Sequence, residues 1–293
     1  MKKNDFEELK DRLKSGSSLK IGVIDNNLMD FLVRINNETD ILHLFDDYDI
    51  ILIPKWVEVE INDGQTRIDC LDYIATKKDV YIIDEKNYSD LANYKDFELM
   101  LLFQASSSCM GKIMGEIRRL IATEEDKEEL DYENFIDELY DNILKEKNVE
   151  PGKRAKRKNA GELSICVLCC LLMYYYEGIE SITVFTFDQD CYKYIKNTKE
   201  SLYQKDNIAG IINKFKHKES CSVTFKSNDW ILKQLYALDE PKGIQIINRV
   251  RTNSRYIKYT LKKSDGSIEE NTKLIDTTEF IEFIKSKDIH LIF

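Results

Sequence analysis

The sequence predicts an α/β protein with a parallel central sheet flanked by helices, followed by a small C-terminal α+β unit. Three observations predict it. Short runs of β-branched and aromatic residues recur at 19–24, 48–54, 80–83, 181–187 and 221–225, each bounded by polar or turn residues. Helically spaced apolar residues lie between them, and strands that alternate with helices make right-handed crossovers onto one parallel sheet. From about residue 240 the pattern changes to two strand-like runs around Asp265-Gly266, a hairpin signal. The expected division is an N-terminal helix over 1–18, an α/β domain over 19–239 with a helical insertion at about 97–150, and the small unit over 240–293.

Residues 4–14 place Phe6, Leu9 and Leu13 on one helical side, and Ser15-Gly16-Ser17-Ser18 breaks the pattern. The run L-K-I-G-V-I over 19–24 is a short buried strand, which stops on Asp25-Asn26-Asn27 before helical spacing resumes over 28–35. The strand over 48–54 ends at Pro54, and a helix over 55–61 carries Glu58 and Glu60 in its first turns. A helix over 68–76 and a strand over 80–83 follow. The middle reads as a long apolar helix over 97–122 and a strongly acidic one over 124–147. A Pro151-Gly152 turn then leads into Lys153, Arg154, Ala155, Lys156, Arg157 and Lys158, the densest basic run in the chain.

Gly161-Glu162 opens a helix through Tyr176 that is apolar nearly all round and therefore buried. The strand over 181–187, S-I-T-V-F-T-F, stops on Asp188 and Asp190. A strand over 221–225 and a helix over 229–238 complete the alternation. The last unit reads as strands over 255–262 and 268–275, a helix over 277–286 and a final strand over 289–293.

Bulk properties narrow the class. A chain of 293 residues buries a sizeable core, and 43% hydrophobic with 33% charged residues is a globular composition. The formal net charge of -10 argues against a protein held on nucleic acid by its overall charge, so such binding must use local basic patches. No apolar run approaches the roughly 20 residues of a membrane span, and the first residues lack the apolar core of a signal peptide. Seven cysteines, an odd number, suit reduced thiols, and a cytoplasmic protein without a membrane partner is expected.

The placement of acids carries the functional reading. In a parallel sheet with helical crossovers, every strand ends and every following helix begins on one edge. Asp25 and Asp188 follow strands, and Glu60 and Glu162 lie in first turns of helices. All four are therefore expected at one edge, where the strand order reverses between the first and fourth strands. Carboxylates about 4 Å apart repel by roughly 4 kcal/mol at an effective dielectric near 20, so such a cluster needs protons or a cation. Oxygen donors without neighbouring His or Cys suit Mg²⁺ or Mn²⁺. Such ions activate water and stabilise the in-line displacement of a phosphodiester.

These residues resemble a family. Asp25-Asn26-Asn27 after a strand is similar to the D-T-N opening of PIN-domain nucleases, with Asn26 in place of the usual Thr. Pro54-x-x-Val57-x-x-Glu60 resembles their P-x-x-V-x-x-E segment. Gly161-Glu162 resembles the third acidic motif, and Thr186-x-Asp188-x-Asp190 the closing T-x-D-x-D. The resemblance covers about residues 19–238. It departs from compact members in the long interval between Glu60 and Glu162 and in the C-terminal unit. It implies a metal-dependent endoribonuclease, often a toxin or defence effector, acting on single-stranded or structured RNA. By the same resemblance Asp25, Glu60, Glu162 and Asp188 hold Mg²⁺ or Mn²⁺, with Asp190 assisting catalysis. Asn27 and Thr186 then orient ligands or the attacking water. An inhibitory or activating protein partner and a homo-oligomer are compatible with it.

Plainer readings stand beside each of these. Asp188 serves as a helix N-cap, Asp25 as a turn residue, Glu162 as an answer to the helix dipole, and Glu58 as a solvated acid. Lys153, Arg154, Lys156, Arg157 and Lys158 form either an exposed loop or a contact to phosphate. Arg249, Arg251, Arg255, Lys258, Lys262 and Lys263, interleaved with Tyr256 and Tyr259, suit either stacking on nucleic acid or a solvated hairpin. Cys166-x-x-Cys169-Cys170 reads as core packing, since no second ligand pair at zinc spacing follows. His43, His217 and His290 are isolated and carry no expected catalytic role. Two rival functions remain: a nucleic-acid-binding or regulatory module without turnover, and a DNA nuclease of another α/β family. A Toprim-like enzyme of the latter kind needs a Glu after its first strand, where this chain has Asp25.

Overall fold

Five parallel strands, β1 (Leu19–Ile24), β2 (Ile50–Pro54), β3 (Val80–Ile83), β4 (Ile179–Phe185) and β5 (Ser222–Lys226), form one sheet in the order β3-β2-β1-β4-β5. The computed structural model describes residues 5–127, 129–147, 156–204, 221–263, 266–286 and 288–292, with the side chains of 189, 190, 201, 203 and 204 outside the description. Pro151, Gly152, Lys153, Arg154, His217 and Asp265 thus lie outside the described residues, as does the side chain of Asp190. β1 and β2 are interior strands, and their continuous apolar runs follow from burial on both faces. β5 is an edge strand, and its alternation of exposed and buried residues reflects one wet face.

Helices cover both faces of the sheet. In chain order they are α1 (Phe6–Ser15), α2 (Asn26–Asn36), α3 (Lys55–Ile61), α4 (Gln65–Ala75), α5 (Tyr88–Leu91), α6 (Asp96–Ser106), α7 (Lys112–Glu125), α8 (Tyr132–Glu138), α9 (Ala160–Tyr175), α10 (Gln189–Gln204), α11 (Asn228–Leu238), α12 (Glu240–Val250) and α13 (Thr277–Ile284). α1 covers the β3 edge through polar contacts: Arg12 Nη1 donates to Asp79 Oδ2 at 2.7 Å, and Tyr81 OH donates to Glu8 Oε1 at 2.6 Å. Fourteen of the sixteen residues of α9 are buried, as its apolar sequence requires of a helix at the centre of the fold. Cys166, Cys169 and Cys170 are among them, and all seven cysteines are free thiols. Among the described residues no helix is long and apolar enough to cross a membrane.

Five expectations are corrected. The apolar segment 97–122 is two helices, α6 and α7, because Gly111 at φ +52° redirects the chain in a conformation that favours glycine. The acidic segment 124–147 is not one helix: Glu124 and Glu125 end α7, and α8 passes into a π turn over Leu139–Ile143. Glu124 is buried beside Lys127 and accepts the Asp131 N–H at 3.3 Å. Glu58 is likewise buried and paired with Lys55, not solvated. The fourth strand spans Ile179–Phe185, so Thr186 and Phe187 lie beyond it. Finally, the unit expected from about residue 240 opens not on strands but on α12, which contains Pro241 and Gly243. Proline sits in the first turn, where an N–H is not needed, and Asp239 caps the helix through the Lys242 N–H at 3.1 Å. Gly243 is required by close approach, since a Cβ there would lie 2.5 Å from Tyr236 Cα on α11.

β6 (Arg255–Lys262), β7 (Ile268–Ile275) and β8 (Ile289–Leu291) form a second, antiparallel sheet in the order β7-β6-β8. The basic residues around it are largely turned to internal pairing. Arg251 is 1% exposed; its guanidinium donates to Asp229 Oδ1 at 3.4 Å and twice to Ile275 O at 3.2 Å, and lies 4.5 Å from the Phe280 ring centre. Arg255 Nε donates to Asp229 Oδ2 at 3.2 Å. Arg249 pairs with Glu38, Lys258 with Glu270 at 2.6 Å, and Lys263 with Glu269 at 2.8 Å. Tyr259 packs edge-on against Phe283. Of this set, Arg251 and Arg255 bind Asp229 of α11, Arg249 reaches Glu38 after α2, and Lys258 and Lys263 pair within the hairpin.

Candidate active site

The strand order reverses between β1 and β4, and the carboxyl ends of these two strands open onto the predicted edge. Asp25 directly follows β1, and its N–H donates to Phe185 O at 3.0 Å, which ties it to the end of β4. Although Asp25 precedes α2, its side chain makes no capping bond. Its Oδ2 instead accepts from Thr186 Oγ1 at 2.7 Å and from Asn27 Nδ2 at 3.2 Å. The same Thr186 hydroxyl accepts the Asp188 N–H at 3.0 Å. One buried hydroxyl thus joins the acid after the first strand to the loop that carries Asp188. Asn27 and Thr186 are thus both placed against the Asp25 carboxylate. Asp190 lies in the first turn of α10.

Glu60 and Glu162 arrive from the other side of the edge. Glu162 lies in the first turn of α9 as expected, whereas Glu60 is near the C-terminal end of the seven-residue α3, whose first-turn acid is Glu58. Gly161 faces α3 at the point where the two helices meet. A Cβ on it would lie 3.3 Å from Val57 Cγ2 and 3.5 Å from Glu60 Oε1. The charges interact across the gap. Burial pushes the Asp25 carboxyl up to about 6; the bonds from Thr186 and the Asn26 N–H oppose this, and the charge of Asp188 adds to it. Burial pushes Glu60 up to about 7, reinforced by Glu162 and then Asp25, with Arg67 opposing. Cys191, also buried in this field, has its thiol pushed well up by burial and then by Asp25, so it stays protonated and is a poor ligand. Among the described residues, no three His, Cys, Asp or Glu side chains are gathered tightly enough to share one ion.

The remaining predicted contacts line a cleft beside Glu60. Its volume is about 660 Å³, and Lys156, Arg157 and Lys158 border it together with Glu60 and Arg67. Lys156 and Lys158 are exposed, while Arg157 is held by Asp141 at 2.8 Å and lies 4.7 Å from the Tyr140 ring centre. Sequence reasoning overlooked Trp56, Arg67 and Tyr140 here. Arg67 is held by Asn26 Oδ1 at 2.8 Å. A lone Arg or Tyr on a helix carries no spacing signal, so these had none to find.

Glu85 was overlooked although it had a signal, because D-E follows the third strand just as Asp25 follows the first. It is fully buried. Its Oε1 accepts from Ser164 Oγ at 2.7 Å and from the Trp56 N–H at 3.1 Å, while Oε2 has no hydrogen-bond partner among the described residues. Burial pushes it up to about 8, against those two bonds. It joins the start of α3 to α9, the two helices that carry Glu60 and Glu162.

These shifts have a stability consequence. The folded carboxyls bind protons more tightly than unfolded ones, so their stabilising contribution is complete below the ordinary carboxyl range. It is lost as pH rises through about 6, 7 and 8. The metal-free protein should melt at a lower temperature at pH 8.5 than at pH 5.5, and Glu60→Gln should flatten the slope. A melting temperature that rises across this range in EDTA would contradict the burial of these carboxyls described above. Compared with family models, curated proteins and solved structures, the chain has no significant match.

Proposed function

We propose that the protein is a PIN-like, metal-dependent endoribonuclease. The observation that supports it best is the convergence of Asp25, Glu60, Glu162 and Asp188 on the β1/β4 reversal, where burial raises Asp25 and Glu60 and the charges of Asp188, Glu162 and Asp25 add to it. The donor chemistry fits a hard divalent cation: every candidate ligand is a carboxylate, and the nearby thiol is held protonated. Asp25, Glu60, Glu162 and Asp188 would hold Mg²⁺ or Mn²⁺, and the cation would have to draw their side chains inward. When bound, it supplies an activated water and neutralises charge on the phosphodiester. Thr186 and Asn27 fix the orientation of the Asp25 carboxylate, and Asp190 in the first turn of α10 is assigned an assisting role. Seven free thiols fit a reducing cytoplasm, and a toxin or defence role under a protein partner rests on the family resemblance.

Labelled single-stranded RNA and DNA incubated with purified protein and Mg²⁺, Mn²⁺ or EDTA test this. Internal cuts in RNA are expected with either metal and none with EDTA. DNA cuts alone would favour a DNA nuclease of another family. The second reading, a nucleic-acid-binding module without turnover, is favoured by the spread of the acids among the described residues. RNA binding with no cut under any metal would establish that reading in place of the enzyme.

A further inference from the structure

We infer that the cleft beside Glu60 seats one unstacked nucleotide of the substrate strand, next to the phosphate held at the carboxylates. This rests on the nuclease reading for its neighbour but on separate features of the molecule. The volume of about 660 Å³ accommodates a nucleotide with its sugar and phosphate. One wall holds a π-rich stack: Trp56, itself only 5% exposed, and Tyr140 have ring centres 5.0 Å apart and planes 23° apart, and the Arg157 guanidinium lies over Tyr140, so the planes offered to a base are those of Tyr140 and Arg157 with Trp56 as their backing. Aromatic and guanidinium planes are the surfaces on which splayed bases stack. Lys156 and Lys158 border the same cleft as exposed cations, where a phosphate backbone is met without sequence preference.

The wall is a built feature. The Glu146 N–H donates to Lys156 O at 2.9 Å and the Lys158 N–H to Leu144 O at 3.0 Å, so the end of the insertion and the residues after it pair as a short antiparallel ladder. Asp141 fixes Arg157, and the Glu85 carboxyl fixes the Trp56 backbone. Tyr140 and one side of the ladder come from the inserted segment, and the other side comes from the residues just after it. The insertion therefore forms the outer half of a nucleotide site, with α3 as the inner half. A base paired in a duplex is not free to enter it, so the cleft selects single strands.

Binding is measured in EDTA, with no turnover, on a short single-stranded RNA carrying a fluorescent end label and 2-aminopurine at internal positions. Wild-type protein should bind it at least about 10-fold more tightly than the matching duplex and should dim the 2-aminopurine as it stacks. Tyr140→Ala should weaken binding by about 10-fold and abolish the dimming, while Tyr140→Phe keeps both. If Tyr140→Ala does not fold, the exposed pair decides: Lys156→Glu with Lys158→Glu should weaken binding about 10-fold or more. Unchanged binding and dimming in the folded variants would overturn the site. Tyr140-dependent dimming without cleavage when metal is added would uphold the site and reject the nuclease. Metal-dependent cleavage indifferent to all three variants would do the reverse.

Discussion

Asp25→Asn should lower metal-dependent cleavage of single-stranded RNA by at least about 100-fold, and should raise the melting temperature of the metal-free protein. Both effects follow from one carboxylate. Asn preserves size and shape, and its carbonyl can still accept from Thr186 Oγ1, so the buried frame between β1 and β4 persists. The negative charge does not persist. A shift from 3.8 to about 6 corresponds to roughly 3 kcal/mol of unfavourable interaction at a pH where the group is ionised. Removing that charge relieves Asp188 and Glu60 and deprives a cation of its most buried ligand. Activity and stability should therefore move in opposite directions, which a folding defect does not produce. Calorimetric melting in EDTA and an end-labelled RNA assay with Mn²⁺ check the two. Cleavage within a few-fold of wild type would remove Asp25 from the site.

Asp229→Ala should destabilise the protein by roughly 3–5 kcal/mol, because it leaves the buried Arg251 guanidinium without its counter-charge. Asp229 is 3% exposed and serves Arg251 and Arg255 together, so a single truncation strands a wholly buried cation and a half-buried one. Urea denaturation read by Trp230 fluorescence in a Trp56→Phe background reports on α11, which carries both Asp229 and Trp230. Asp229→Asn should cost less, since an amide oxygen still accepts from Arg251. A loss of under about 1 kcal/mol for the Ala variant would show that Ile275 O and the Phe280 ring suffice to hold Arg251.

The fold was legible where local signals agreed with burial. β1, β3, β6 and β7 coincide with their predicted bounds, because β-branched runs between turn residues have no competing helical period. Alternation gave the parallel sheet, and the β1/β4 reversal, expected from the way open α/β sheets place their sites, is present in the strand order. Helix breaks were less legible. Nothing in an apolar run announces that Gly111 takes a positive φ, and Pro241 reads as a stop or a start depending on Asp239 before it. At the site, the rule that acids after strands meet at one edge correctly gathered Asp25 and Asp188. The same rule fits Glu85 and Asp229 equally well. Packing diverts the first into a buried network with Ser164 and the second into ion pairs with two arginines. Which strand-end acid faces an open edge depends on partners distant in sequence, and spacing does not encode them.

The buried carboxyl groups also change how much charge the molecule carries. The formal value of -10 counts every acid as ionised. With Glu85 titrating near 8, Glu60 near 7 and Asp25 near 6, the native chain at pH 7 retains roughly one to two protons that the unfolded chain releases. Native electrophoresis should accordingly show a smaller negative charge than the sequence implies. A divalent cation that displaces the protons on Glu60 and Asp25 would acidify an unbuffered solution. The heat of metal binding would then vary with the ionisation enthalpy of the buffer.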